Sequence, residues 1–235
     1  MFSRLLLVLI IGTPVTEALE ANVSLPETHL RGIDVSHYQG TINWNSVKSS
    51  GVSFAMAKAT EGTSYTDPMF NTNWNGMHSA GLVRGAYHFA RPGSDAVTQA
   101  DHFVNTVNNA GGITSGNTLQ LVLDLETTDG LGSAAVLSWV EAFMARVKSL
   151  TGRPGIIYTG YYFWNDDVRG SSCLDAPLWI AAYSSSPSIP SPWGGVGWAF
   201  WQYSDSGSVS GISGAVDLDY FQNGGSYPDI YNLCF

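Results

Sequence analysis

The sequence predicts an α/β fold, specifically an irregular TIM-like barrel. Short apolar runs alternate with amphipathic helical segments from residue 31 onward, and the helical signal fades after Ala182. Alternating strands and helices predict a parallel sheet, and this many repeats predict that the sheet closes into a barrel. Because helices are missing from the last third, we expect five β/α units followed by three strands.

The apolar runs have the length of buried strands rather than helices. They cover Gly32–Val35, Val52–Ala57, Val83–Phe89, Leu119–Leu125, Gly155–Thr159, Leu178–Tyr183 and Trp198–Tyr203. Two of the segments between them, Asp95–Ala110 and Ser133–Leu150, carry apolar residues at helical spacing and are followed by glycine, which is typical of a helix end.

The first part of the chain has the pattern of an export signal. In segment 1–19, Arg4 precedes the apolar run Leu5–Ile11, and small residues around Ala18 resemble a cleavage site. The run is shorter than the roughly 20 residues that span a bilayer. We therefore expect a secreted, extracellular protein.

A short polar segment, 20–30, follows the signal and contains the N-glycosylation sequon at Asn22. The barrel domain then covers 31–235. Its cysteines, Cys173 and Cys234, are predicted to form a disulfide, because an even pair in an oxidising compartment is usually bonded.

The net charge is −9, which argues against a nucleic-acid partner and against electrostatic capture by anionic surfaces. No later stretch is apolar enough to span a bilayer, so we expect no membrane partner either. We predict a monomer that binds its substrate by shape and stacking.

Carboxylates recur where predicted strands end. Asp34 ends the first strand, Asp124 and Glu126 end the fourth, and Asp217 and Asp219 lie in a last apolar segment. The carboxyl ends of parallel strands hold the reactive groups of such barrels. These acids are therefore candidates for one site.

Asp124 and Glu126 are two residues apart on a strand, so both side chains face the same side, with Cα atoms about 6.5–7 Å apart. One of the two should have a raised pKa and stay protonated, as a general acid of glycoside hydrolysis requires. Alternatively, the acids cap helices or pair with Lys58 and Arg84. Spacing alone does not separate these interpretations.

Aromatic residues shift the balance towards carbohydrate, because sugar rings stack on aromatic faces. Several lie in the later halves of strands, namely Tyr87, Tyr158, Trp179, Tyr183, Trp201 and Tyr203. Beside a carboxylate cluster, they favour a glycan groove over simple core packing.

Other chemistries lack their motifs. The chain has no Gly-x-Ser-x-Gly, no P-loop and no His-Glu-x-x-His, and its cysteines are too far apart for a zinc knuckle. The segment Gly130–Ala135 imitates a dinucleotide fingerprint but lacks the acid about 20 residues later. We therefore expect neither a metal ion nor another cofactor.

Seven motifs, in this order, resemble glycoside hydrolase family 25, the Chalaropsis-type lysozymes, from about Arg31 to Phe221. They are RGIDVSHYQ (Arg31–Gln39), AKATEGTSY (Ala57–Tyr65), GAYHFAR (Gly85–Arg91), LDLE (Leu123–Glu126), LWIAAY (Leu178–Tyr183), WQYSDSG (Trp201–Gly207) and VDLDYF (Val216–Phe221). The resemblance implies hydrolysis of the β-1,4 bond between N-acetylmuramic acid and N-acetylglucosamine in bacterial peptidoglycan.

By position, Glu126 resembles the general acid/base and Asp124 its partner, while Asp34 and Asp217 line the same pocket. Asp219 stands where the family often has Asn, and we expect Asp217 to be the one that faces the pocket. The residues that resemble groove aromatics are Tyr87, Tyr158, Trp179 and Trp201.

Two other functions are compared with this one. A chitinase-like hydrolase would carry further aspartates before the acid, where this chain has Gln120 and Val122, and a lectin would have lost Glu126.

For the mechanism, direct nucleophilic attack needs carboxyls about 5–5.5 Å apart and attack by water needs about 6.5–9.5 Å. Attack by the substrate's own acetamido oxygen fits best, since neither carboxyl must then lie beneath the sugar ring.

Overall fold

The barrel is built from strands that the computed structural model places in one closed sheet; residues 29–114, 116–171 and 175–235 are described. The strands are β1 (Leu30–Val35), β2 (Phe54–Glu61), β3 (Tyr65–Thr66), β4 (Val83–Phe89), β5 (Val122–Asp124), β6 (Ile156–Gly160), β7 (Leu178–Ala181), β8 (Phe200–Gly207) and β9 (Val216–Phe221). The order β1-β9-β8-β7-β6-β5-β4-β2 closes through pairing of β1 with β2, and β3 adds an edge to β2. Neighbouring strands of the barrel are parallel except that β9 runs antiparallel to both β8 and β1.

Helices follow the first strands and are lacking after the later ones. They are α1 (Trp44–Ser49), α2 (Phe70–Ser79), α3 (Ala96–Asn109), α4 (Ser133–Thr151) and α5 (Tyr161–Phe163). In the described chain after β7, only short 3-10 turns at Ser191–Trp193 and Ile230–Leu233 remain. The predicted irregular barrel, with five β/α units and then three strands, is confirmed.

Both predicted helices form, and their ends have local causes. The Asp95 side chain accepts a hydrogen bond from the Thr98 backbone N–H and caps α3. Gly152 ends α4 with φ of 76°, a left-handed conformation that glycine adopts without strain.

Alternate strand residues divide the apolar side chains into two layers. Phe54, Phe200 and Phe221 pack inside the barrel, whereas residues such as Ile33 and Ile157 face the helices. Gly32 is required by the inner layer, because a Cβ there would lie 2.2 Å from the Phe54 ring. The strand phase therefore decides which residues can reach the barrel interior and its mouth.

The end of the barrel away from the carboxyl ends of the parallel strands is covered by the C-terminal segment. The Phe235 N–H donates to the Thr118 carbonyl at 2.9 Å, and the Gln120 N–H donates to the Leu233 carbonyl at 2.8 Å. Leu233 and Cys234 pack into the inner apolar layer. This arrangement leaves the opposite end of the barrel for a cavity.

The structure does not contain the predicted disulfide among its described residues. Cys234 is a buried free thiol, and burial raises its pKa to about 11. Cys173 lies outside the described residues, as do the predicted signal segment 1–19 and Asn22. Within the described part of the chain, no helix is long and apolar enough to cross a membrane.

Candidate active site

A cavity of about 300 Å³ opens at the carboxyl ends of the parallel strands. It brings together eight of the residues predicted from the sequence, namely Asp34, Asp124, Glu126, Asp217, Tyr87, Tyr158, Trp179 and Tyr183. Of the aromatic residues predicted for the groove, Trp201 and Tyr203 do not line it. The location is the one expected for a site in a parallel barrel.

Asp124 ends β5, Glu126 follows two residues later, and their side chains form a hydrogen-bonded carboxyl pair. Asp124 is buried, whereas Glu126 is exposed at the cavity. Burial and then the negative charge of Glu126 raise the pKa of Asp124 well above its usual value. Burial and the adjacent negative charge therefore favour the neutral form of the Asp124 carboxyl.

The Asp124 carboxyl has further reason to keep a proton. Its Oδ1 has no hydrogen-bond donor among the described residues. A buried carboxylate oxygen without a donor is costly, which favours the neutral acid. The backbone holds this strand end in place, because the Ala90 N–H donates to the Asp124 carbonyl at 2.8 Å.

Lys58 is the cation that lines the cavity wall. Its Nζ donates to Glu61 Oε2 at 2.7 Å and lies 4.8 Å from the centre of the Phe89 ring. Its positive charge lowers the pKa of Asp124, against the larger effect of burial.

Arg84 lies elsewhere, stacked on Trp74 at 4.0 Å. Within the described part of the chain, neither Lys58 nor Arg84 forms an ion pair with Asp124 or Glu126. The alternative that these two acids serve as salt-bridge partners of the two cations therefore has no support from the geometry.

A second group of carboxyls, Asp34, Asp217 and Asp219, lies on β1 and β9. Asp34 and Asp217 are direct partners in the strand register, and Asp34 is hydrogen-bonded to both other acids. Burial raises the pKa of all three. The charges of Asp219 and Asp217 raise that of Asp34 further, whereas the hydrogen bonds to Asp34 lower the pKa of Asp217 and Asp219. These three acids are called the β1/β9 cluster below.

Asp217 lines the cavity, as predicted, but Asp219 also points into the barrel. Asp219 is fully buried, and its Oδ1 accepts a hydrogen bond from Trp179 Nε1 at 2.9 Å. It is absent from the cavity lining. Of the two, Asp217 is therefore placed for contact with a ligand.

Gln202 is a site residue that the sequence reasoning missed. Its Nε2 donates to Asp34 Oδ2 at 2.7 Å, and its Oε1 accepts from the Tyr158 hydroxyl at 2.9 Å and the Tyr183 hydroxyl at 3.0 Å. The sequence signal for Gln202 is its position two residues after Phe200. Alternate residues of a strand face the same side, and Phe200 faces into the barrel. A neutral glutamine within a strand carries no chemical signature that would separate it from other polar residues.

Three of the predicted groove aromatics have limited stacking surface. Trp179 is 2% exposed and Tyr158 is 7% exposed, so neither offers a free ring face. Trp201 packs outside the barrel, and its Nε1 donates to the Ala182 carbonyl at 2.7 Å. The prediction for Trp201 is not supported, because Phe200 and Gln202 occupy the inward positions on either side of it.

Comparison with known proteins places this geometry in a family. The family model "Glycosyl hydrolases family 25" matches residues 33–212. Over 203 residues the chain is 45% identical to Lysozyme M1 of Streptomyces globisporus, covering 82% of this chain and 67% of that protein. Over 198 residues it is 39% identical to Autolytic lysozyme of Clostridium acetobutylicum, covering 83% of this chain and 56% of that protein.

The fold is also shared with solved structures. The crystal structure of the bacterial lysozyme from Streptomyces coelicolor matches with a TM-score of 0.79 at 42% identity, covering 87% of this chain and 96% of that one. The chain thus spans just over half of the Clostridium protein and nearly all of the Streptomyces coelicolor structure. The motifs, the barrel and these matches agree: the chain belongs to glycosyl hydrolase family 25 and is a glycoside hydrolase.

Proposed function

We propose that the protein is a secreted muramidase that hydrolyses the β-1,4 bond between N-acetylmuramic acid and N-acetylglucosamine in bacterial peptidoglycan. The observation that carries the proposal is the hydrogen-bonded pair of Asp124 and Glu126 in the cavity. A neutral Asp124 in contact with the Glu126 carboxyl supplies both a proton and a second carboxyl group, and glycoside hydrolysis requires both.

The exposure of the two acids determines their roles. Glu126 is exposed at the cavity and can reach a glycosidic oxygen, whereas Asp124 is buried beside it. When the proton of Asp124 moves to Glu126 and on to the leaving oxygen, Asp124 is left ionised. Glu126 is then the general acid, and after the leaving group departs its carboxylate is the base that activates water.

The ionised Asp124 suits participation by the substrate's own 2-acetamido group. The acetamido oxygen forms a bond to the anomeric carbon as the bond from that carbon to the leaving oxygen breaks. Asp124 accepts a hydrogen bond from the acetamido N–H and stabilises the positive charge that develops there. Water then attacks the same carbon, its proton goes to Glu126, and the bond to the acetamido oxygen breaks.

Asp34 and Asp217 line another part of the cavity wall, on β1 and β9. We assign them to hydrogen bonds with substrate hydroxyls. Gln202 fixes the orientation of Asp34 through its 2.7 Å hydrogen bond to Oδ2. Carboxyls held in this way are pre-organised, so little order is lost when a sugar binds.

The proposal is tested with purified peptidoglycan and, in parallel, chitin. Turbidity of the peptidoglycan should fall, and borohydride reduction of the new ends should give N-acetylmuramitol, with no comparable cleavage of chitin. New ends that reduce to N-acetylglucosaminitol, or equal rates on chitin, would contradict the assigned bond. Binding to the wall without any new reducing ends would indicate a lectin instead.

Secretion is supported by the pattern of residues 1–19, with Arg4 before an apolar run and small residues near Ala18. When the full chain is expressed in a secreting host, the culture medium should contain a protein whose N-terminus begins after this segment. Mass spectrometry of the intact secreted protein measures this directly. A chain that stays inside the cells with Met1 retained would contradict it.

A further inference from the structure

Stacking on a sugar requires a ring with an exposed face, and the buried aromatics of the cavity do not provide one. Tyr38 and Tyr183 line the same cavity but are 83% and 58% exposed. We propose that these two tyrosines are the platforms on which the glycan strand stacks on either side of the carboxyls. This inference rests on the proposed function and adds the residues that select a long glycan strand as substrate.

Tyr38 lies in the 3-10 turn His37–Gln39, which is fixed by hydrogen bonds although the Tyr38 ring is in solvent. Its ring lies 4.2 Å from the His37 ring at 34°. Asp67 is 2% exposed, and its Oδ2 accepts hydrogen bonds from His37 Nδ1 at 2.7 Å and from the His37 backbone N–H at 3.0 Å. The 3-10 turn His37–Gln39 is also stabilised by reciprocal capping hydrogen bonds between Ser36 and Gln39.

Tyr183 is held at its hydroxyl end. The hydroxyl donates to Gln202 Oε1 at 3.0 Å, and Gln202 in turn donates to Asp34. The polar tip is thus anchored inside the cavity while the apolar ring remains at its rim. An anchored aromatic ring gives contact area at low entropic cost when a ligand binds.

The two rings are separated by two strands, β9 and β8, which carry acids of the cavity wall. Tyr38 follows β1 and Tyr183 follows β7, and the sheet order places β9 and β8 between these strands. Asp217 on β9 and Asp205 on β8 line the cavity between them. A glycan chain that lies across Asp217 and Asp205 contacts one tyrosine ring on each side of these acids.

The experiment measures affinity for soluble, peptide-free glycan strands by calorimetry in a Glu126→Gln background, in which cleavage is slowed. Strands of about eight sugars are compared with a disaccharide. Tyr38→Ala and Tyr183→Ala should each raise Kd for the long strand about tenfold. The disaccharide, too short to reach both rings, should be affected less by at least one of the two changes.

Conservative and remote variants serve as controls. Tyr38→Phe keeps the ring face and should keep the affinity within about twofold, a change of well under 1 kcal/mol. Tyr231→Ala removes a ring that is also 58% exposed but lies on the C-terminal turn at the other end of the barrel, and it should change neither Kd. Unchanged long-strand affinity in both Tyr38→Ala and Tyr183→Ala would overturn the inference.

Failure of the inference is distinguishable from failure of the proposed function. The chain with Glu126 intact is first assayed on the same long strands. Cleavage by that chain, together with unchanged affinity in both alanine variants, overturns only the platforms. Absence of cleavage overturns the proposed function, whatever the affinities are.

Discussion

The cavity contains two sets of carboxyls, the Asp124–Glu126 pair and the β1/β9 cluster, and the two sets are held in different ways. The Asp124–Glu126 pair contains an exposed acid and has Lys58 in the adjacent wall. The β1/β9 cluster is instead fixed by neutral donors, with Trp179 on Asp219 and Gln202 on Asp34. A proton beside an exposed acid can pass to a ligand, whereas carboxyls held by fixed donors are suited to hold a ligand in place. In the proposed function, the first set is therefore the reactive pair and the second the positioning cluster.

The largest effect is expected at the reactive pair. Glu126→Gln keeps the shape of the side chain and removes its transferable proton, so kcat should fall by roughly 10²–10⁴-fold. Peptidoglycan binding should largely survive, because the β1/β9 cluster is untouched. Turbidity loss and a pelleting assay on the same wall preparation measure both quantities.

Glu141→Gln on α4 is the matched control, since it makes the same chemical change on an exposed helix away from the cavity lining. It should leave kcat unaltered. If Glu126→Gln retains activity within a factor of two of the unmodified chain, Glu126 is not the acid and the comparison fails.

A smaller loss is expected when the positioning cluster is disturbed through Gln202. Gln202→Met removes the donor to Asp34 and the acceptor of two tyrosine hydroxyls without much change in volume. We expect a kcat loss of about tenfold from misorientation and a decrease of about 1–3 kcal/mol in the free energy of unfolding.

The comparison variant is Tyr183→Phe, which removes only one of the hydrogen bonds to Gln202 and should have a weaker effect on both quantities. Steady-state kinetics and urea unfolding of the two variants provide the measurement. A Gln202→Met enzyme with full activity would show that Asp34 needs no such positioning.

Asp219 offers a change in stability with a defined pH dependence. Burial raises its pKa in the folded chain, so the folded state binds the proton more tightly than the unfolded state does. The free energy of unfolding is therefore reduced as the pH rises above about 4, where the unfolded carboxyl ionises. An amide cannot titrate, still accepts from Trp179, and donates to Asp34.

Asp219→Asn should consequently be more stable than the unmodified chain by about 1–3 kcal/mol at pH 8, and by less at pH 4. Urea unfolding at the two pH values measures the difference. A variant that is destabilised at pH 8, or one whose advantage does not grow with pH, would contradict a raised pKa for the buried Asp219.

The smallest effect concerns the charges around Asp124. Lys58 lowers the pKa of Asp124, so Lys58→Met should raise it and move the alkaline limb of the kcat profile to higher pH. Glu61 raises the same pKa, so Glu61→Gln should move that limb to lower pH. Both changes break the Lys58–Glu61 ion pair, and Glu61→Gln also removes the longer contact with Arg91 at 4.0 Å. A merely structural effect of losing the shared pair would move the limb in the same direction in both variants.

The fold was predictable because its signals are local and repeated. β4 forms over the predicted Val83–Phe89, and α4 extends the predicted helix by one residue, to Thr151. The predicted strand Leu119–Leu125 is shortened to β5, Val122–Asp124, because Leu119 bridges to Cys234 in the C-terminal segment instead. β3 was not predicted, since a strand of two residues has no measurable periodicity.

The site was predictable where residues carry charge and end a strand. Asp34 and Asp124 line the cavity for that reason, whereas Asp217 lies there because β9 runs antiparallel and begins at that end of the barrel. Trp201 was misplaced because aromatic residues serve the inner and outer layers equally, and only strand phase separates them. Tyr38 was missed because it lies in a 3-10 turn after β1, where neither strand nor helix periodicity applies.

The central claim is that the proton moves within the Asp124–Glu126 pair while the substrate's acetamido group, rather than a carboxyl, attacks the anomeric carbon. Proton NMR of the newly formed reducing end, recorded before mutarotation, tests it most directly. Two displacements at the same carbon predict that the first product retains the β configuration. A first product with the α configuration would exclude acetamido participation and require direct attack by water, with Asp34 or Asp217 as the base.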